Sequence, residues 1–354
     1  MVKLRIVLVT VSLVLSVLIG FCVSQRNAEK GGKAAGKSKE ILVGLSMDTL
    51  KEARWQKDRD FFVNRVEELG GKVLVQSANS NDTRQIKDVK SLLANNVDAL
   101  VIIPHDGAAM AEAVRLASEA GVPVIAYDRL ITDCDLDFYI SFNNVRVGEM
   151  QAKYLVEHLP PGKNKIIRIY GAPTDNNAKL FKQGQDNILN PLIQSGKIEV
   201  IHEDWATDWS PAKAKKIMNA AITKYGSDFT AVLASNDGTA GGAVQALKEA
   251  KLAGRVLVTG QDADRVACQR IIRGTQTMTI YKPVKTLALR AAEIASAMAK
   301  GKPVIANGKV FNGMKEVPSY LLDVIAVDKT NMHDTVISDG FHSEKDIYGT
   351  DGNK

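Results

Sequence analysis

The sequence predicts an α/β fold made of two doubly wound domains, each built on a parallel sheet, and three observations carry that prediction. The chain has 354 residues and is 45% apolar, long enough for two cores of ordinary size. From Ile41 onward, short runs rich in Val and Ile alternate with stretches of helical periodicity. The alternation then starts afresh near the middle of the chain, so the second half repeats the rhythm of the first.

In the first half ILVGLSM (41–47), KVLVQSA (72–78), DALVIIP (98–104), PVIAYD (123–128) and DFYISF (137–142) read as strands. Amphipathic stretches near 51–69, 83–95, 107–120 and 144–158 separate or follow them. In the second half the strands are KIIRIYG, IEVIHE, FTAVLAS, RVLVTGQ and TQTMTIY, most of them followed by a helical pattern. Strands that are apolar along their whole length are expected where helices cover both faces of a sheet.

The formal charge of +6 suggests nucleic acid until it is located. Residues 1–40 hold seven Lys/Arg against two Asp/Glu, and the remainder holds 39 basic and 38 acidic groups. The near-neutral body offers no field to steer it toward phosphate backbones, so no nucleic-acid partner is expected. The leader begins with Lys3 and Arg5 and continues with 17 mostly apolar residues from Ile6 to Cys22. Residues 1–22 thus read as an export signal. Two routes of processing are open: lipidation at Cys22, or ordinary cleavage after Cys22-Val23-Ser24. Residues 23–40, rich in Gly, Ala and Lys, read as a flexible tether, which makes most sense on an anchored protein. Cys134 and Cys268 are too few for a disulfide framework and are expected as buried, unpaired thiols.

Two consecutive α/β domains create a cleft, and ligands gather there at the carboxyl ends of the strands. The residues after the strands are polar: Asp48, Arg54-Trp55, His105-Asp106, Asp128-Arg129 and Asn143-Asn144 in the first half. In the second they are Asp175-Asn176-Asn177, Trp205 with Trp209, Asn236-Asp237, Gln261-Asp262 and Tyr281-Lys282. A sugar presents a belt of hydroxyls and apolar C–H faces. Trp55 and Trp209 could stack on those faces, Asp128 and Asp262 could each accept from two hydroxyls, Arg129 could donate as a fork, and Asn236 could do both. A neutral polar ligand is served in this way without a metal or a cofactor.

Plainer roles compete for the same residues. Trp55 falls on the stripe Trp55, Phe62, Val66, Leu69 and could extend the core face of its helix. Asp128 and Asp237 stand where turn and N-cap carboxylates are common, and Asp264 reads as a cap. Asp58 with Lys57 and Arg59 reads as a solvated helix face, and His105 as a loop residue. GxSxG, GxxxxGK[ST] and a helix-opening GxGxxG are missing, and GTAGGA (238–243) lacks the Lys of a phosphate loop. No catalytic residues are expected, although Asp128 and Asp262 could be paired as an acid and a base.

Taken in order, ARWQKDRD, VQSAN, VIIP, AYDRLITDCDLDFYISF, DNNAKLF, SNDGTAGGAVQAL, GQDAD, GTQTMTIYKP and VPSYLL resemble the periplasmic sugar-binding proteins of ABC importers. They belong to the type I, ribose/galactose group, with its D-xylose-binding members nearest. The likeness runs from about Ile41 to Phe341. It implies a Venus-flytrap protein with a three-segment hinge near 142–144, 281–283 and 321–325. One lobe would be 41–142 plus 283–321 and the other 143–282 plus 322–354. It further implies that Arg54, Asp128 and Arg129 hold a pentose from the first lobe and Asn177, Asn236 and Asp262 from the second. Lys282 would sit at a hinge and the ring between Trp55 and Trp209, with Asn176 and Lys57 as further members. The partners implied are a monosaccharide, an ABC permease and a chemoreceptor. The protein is expected to be a monomer, exported to the periplasm or lipid-anchored at the outer face of a bacterial membrane. The rival readings are a receptor for glucose or several aldoses and a carbohydrate enzyme. A transcription repressor shares this core but carries an N-terminal helix-turn-helix.

Overall fold

The computed structural model describes residues 40–349. The export signal, nearly all of the tether, Cys22 and the last five residues of the predicted second lobe lie outside them.

The first half follows the predicted order: β1 (Ile41–Met47), α1 (Ala53–Glu68), β2 (Gly71–Ser77), α2 (Asp82–Ala94), β3 (Ala99–Ile103), α3 (Ala111–Glu119), β4 (Val124–Tyr127) and β5 (Phe138–Phe142). These strands lie in the order β2-β1-β3-β4-β5, all parallel. Every residue of β3, β4 and β5 is buried. That is the reason their sequences show no polar alternation.

The second half repeats the plan with α4 (Asn144–His158), β6 (Asn164–Tyr170), α5 (Asn176–Gln194), β7 (Ile198–Trp205), α6 (Pro211–Tyr225), β8 (Ala231–Ala234), α7 (Asp237–Glu249), β9 (Leu257–Val258) and α8 (Arg265–Ile272). Its parallel sheet has the order β7-β6-β8-β9. In both sheets the order reverses beside the first strand of the half, and a crevice opens at that point.

The closing elements depart from a wholly parallel plan. β10 (Thr279–Tyr281) pairs antiparallel with β13 (Ile325–Val327). It still lies beside β9, because Thr277 N donates to Val258 O at 2.8 Å and Asp262 N to Ile280 O at 2.8 Å. α9 (Val284–Ala299) returns to pack on α1 and the first sheet. There β12 (Glu316–Leu322) adds parallel to β5, and β11 (Gly308–Phe311) caps the edge antiparallel to β12. A last short helix is α10 (Glu344–Tyr348). The chain thus changes sheets after Phe142, after Tyr281 and after Leu322.

Helices α4 and α5 touch backbone to backbone. A Cβ on Gly148 would fall 2.0 Å from the Phe181 carbonyl oxygen, and one on Gly184 2.0 Å from that of Val145. Gly148→Val should therefore force the helices apart and cost at least about 2 kcal/mol of stability, read as a shift of the denaturation midpoint. An unshifted midpoint would show that the two helices part freely. Cys134 and Cys268 are both buried and free, as expected.

Candidate ligand-binding cleft

Several helices begin at the carboxyl ends of strands and are capped by short polar side chains. Asn81 Oδ1 accepts from Arg84 N, Asn143 Oδ1 from Arg146 N, Asp175 Oδ1 from Asn177 N, and Asn236 Oδ1 from Thr239 N. The last is a capping box completed by the Thr239 side chain. Asp175, Asn177 and Asn236 thereby face the crevice from the second half.

Two turns complete the walls. Asp128 follows β4 with φ of 62°, and Asp262 follows β9 with φ of 96°. In both, the backbone N–H is held at 2.8 Å by a neighbouring strand, through Ile140 O and Ile280 O. The left-handed backbone turns each carboxylate out of its strand direction and into the crevice.

The result is a cavity of about 230 Å³ between the two halves. All nine predicted residues line it: Arg54, Trp55, Asp128 and Arg129 from one side, and Asn177, Trp209, Asn236, Asp262 and Lys282 from the other. Sequence reasoning gave no site role to Asp175, Phe181, Gln261, Glu52 or Asp264, which also line it. Phe181 was findable, since it lies one helical turn beyond Asn177 on α5.

Charge organises the cavity. Arg54, 6% exposed, reaches three carboxylates: Asp58 at 3.4 Å, Asp128 at 2.8 Å and Asp262 at 3.5 Å. Burial opposes its charge, but Asp128, Asp58 and Asp262 push its pKa well above the ordinary value. For Asp128 burial works against ionisation too, yet Arg54, Lys282 and Arg129 outweigh it and hold the carboxyl below its usual range. Asn177 Nδ2 donates to Asp128 Oδ1 at 3.1 Å. Arg129 spans the halves, 2.8 Å from Asp48 and 2.9 Å from Asp175. Lys282 lies 3.6 Å from Asp262.

The aromatic residues take different positions. Trp209 lies flat on Gly171, where a Cβ would fall 2.0 Å from the ring, and its Nε1 donates to Asp175 Oδ2 at 3.1 Å. Phe181 meets it edge-on with ring centres 6.2 Å apart. Trp55 packs with Phe62 and Val66 in the core, as the helix stripe predicts, and also lines the cavity. The Arg54 guanidinium lies 4.1 Å from its ring centre and that of Arg129 5.4 Å, so the indole supports two cations. Trp205 packs on Tyr170 instead and does not line the cavity.

Several expectations need correction. Asp58 is not part of a solvated face: it is 2% exposed and accepts from Arg54 and the Tyr127 hydroxyl. Lys57 and Asn176 do not line the cavity, and the Lys57 amine donates to the Phe341 carbonyl oxygen at 2.6 Å. Asp128 is a turn residue as expected, whereas Asp237 is not a cap: it is the first residue of α7, behind its Asn236 cap, and accepts from Gln276, Thr279 and the Asp264 backbone. Asp264 precedes α8 but its carboxyl makes no cap bond. His105 pairs with Asp48 at 3.0 Å, which raises its pKa.

Burial, with the nearby Asp262 charge, pushes Asp264 up to about 6 from an ordinary 3.8. The folded protein therefore keeps a proton that the unfolded chain has lost. The stability this supplies is present below about pH 4 and is lost as pH rises through about 6. Asp264→Asn, which cannot ionise, should melt above the parent at pH 7.5, by on the order of 1–2 kcal/mol, and with it at pH 4. Thermal unfolding at the two pH values checks this, and equal melting at both would refute it.

Comparison with known proteins agrees with this geometry. Residues 43–303 match the model of the periplasmic binding protein domain. The chain is 51% identical to a D-xylose-binding periplasmic protein of Haemophilus influenzae over 311 residues, 88% of this chain and 93% of that one. It is 49% identical to the D-xylose-binding periplasmic protein of Escherichia coli, over 88% and 94% of the two chains. Among solved structures, a carbohydrate transporter solute-binding protein of Chloroflexus aurantiacus in complex with D-glucose superposes with a TM-score of 0.82. It is 32% identical, over 87% of this chain and 98% of that one. The doubly wound halves, the crevice at their strand ends and these similarities agree: the chain belongs to the periplasmic binding protein family, with the type I fold of its sugar-binding members.

Proposed function

We propose that the protein is an exported receptor that captures a monosaccharide, D-xylose by preference, by closing two lobes around it and presenting the closed form to an ABC import permease. The observation that carries this reading is the convergence of ionised and amide groups from both halves on one cavity that two indoles also line. The lobes correspond to the two sheets with their helices, and the three sheet-changing segments serve as hinges. Arg54, Asp128, Arg129, Asn177, Asn236, Asp262 and Lys282 bond the hydroxyl belt, while Trp209 supplies a flat face and Trp55 backs the guanidinium groups. A sugar that touches both walls stabilises the closed form by its differential affinity, and no covalent step is needed. Charge-assisted hydrogen bonds contribute about 1.5–3 kcal/mol each. A handful, less desolvation and ordering, supports the roughly 8 kcal/mol of micromolar binding.

Against the cost of burial, Arg54, Lys282 and Arg129 keep the Asp128 carboxyl below its usual range, which suits it to accept hydrogen bonds from sugar hydroxyls. The D-xylose assignment draws on the relatives in Haemophilus influenzae and Escherichia coli. The rival reading, glucose or several aldoses, draws on the D-glucose complex. The leader reading extends the proposal: residues 1–22 direct export, and Cys22 carries a lipid that holds the receptor by the tether.

Titration calorimetry with xylose, ribose, arabinose, glucose and galactose should show the largest affinity for xylose, and flat heats with every pentose would end this reading. Trp209→Ala should weaken binding by more than about 1 kcal/mol while circular dichroism stays unchanged. Unaltered affinity would place that ring outside the site.

A further inference from the structure

We propose that Lys57 and Phe341 form a latch, outside the cavity, that holds the two halves shut; this rests on the closure reading above. Lys57 lies on α1, which packs on β2 and α9 of the first half. Its Nζ donates to the Phe341 carbonyl oxygen at 2.6 Å and sits 4.1 Å from the centre of the Phe341 ring. One residue therefore offers the ammonium both an acceptor and a π face.

Phe341 belongs firmly to the other half. Its ring lies 5.1 Å from that of Tyr281 and packs at the edge of a core containing Ala263, Cys268, Ile271, Val327 and Val336. The adjoining His342 places Nε2 2.8 Å from the Ala263 carbonyl oxygen, and Gln269 Nε2 donates to Asp346 O at 2.7 Å. Ala263 stands between Asp262 and Asp264, both of which line the cavity. The segment that receives Lys57 is thus tied to the turn that meets the ligand, yet neither Lys57 nor Phe341 lines the cavity itself.

Such a contact acts on the equilibrium between open and shut forms without touching sugar. Burial lowers the Lys57 pKa, against the pull of Asp346 and Asp264, so the amine is partly stripped of water and feels the ring and the carbonyl more strongly. Sugar must leave through the open form. Loss of the latch then speeds dissociation, while encounter with the open form is unchanged. The order of preference among sugars is set inside the cavity and stays as it was.

The test is stopped-flow tryptophan fluorescence and calorimetry on the full chain, read with whichever of the five sugars binds most tightly. Lys57→Met should raise the dissociation rate about tenfold and Phe341→Ala, which removes the ring but leaves the backbone carbonyl, about threefold, with association within twofold and the order of sugar affinities kept. The double variant should be no worse than Lys57→Met alone, because Lys57→Met already removes both the carbonyl and the ring contact, and Lys57→Arg should keep dissociation slow. Dissociation within twofold of the parent in both single variants, or a changed order of sugars, overturns the latch. A parent that binds none of the five overturns the functional reading, and the latch with it, and is told apart by its flat heats.

Discussion

The cleft depends on keeping one guanidinium ionised away from water. Arg54 is almost fully buried, and a charge so placed costs several kcal/mol unless other groups compensate it. Asp58 from its own helix and Asp128 from the end of β4 supply that compensation inside the first half, and the Tyr127 hydroxyl in turn holds Asp58. Asp262, from the other half, adds a looser contact. The arginine thus makes its shortest contact, to Asp128, inside its own half and reaches the other half as well.

Arg129 also joins the halves, tied equally closely to Asp48 behind it and to Asp175 across the crevice. Asp175 also takes the hydrogen bond of Trp209 and caps α5. A single carboxylate so placed sets the position of a helix, an indole and a cation. Burial pushes its pKa up, against the pull of Arg129.

Much of this was legible in the sequence, because strands buried on both faces cannot hide their composition. β3 to β5 read as unbroken apolar runs, and the residues after the strands could be inspected one by one. The less regular elements left no such trace. β11 is half exposed and four residues long, and β12 carries Pro318 just before the stretch that pairs with β5. Spacing alone could not separate the two roles of Trp55, since a ring at the end of a core stripe can face the core and the crevice at once. Asp58 was misjudged for a related reason. Beside Lys57 and Arg59 it resembles a solvated charge, and what buries it, the Tyr127 hydroxyl, lies 69 residues further on. Local patterns reveal periodicity, whereas partners distant in sequence are revealed only by the fold.

The left-handed backbones at Asp128 and Asp262 restrict how such a cleft can diversify. Asparagine, aspartate and glycine tolerate that conformation, whereas branched side chains resist it. A substitution on the helix facing those corners, at a position such as Phe181, meets no comparable main-chain limit.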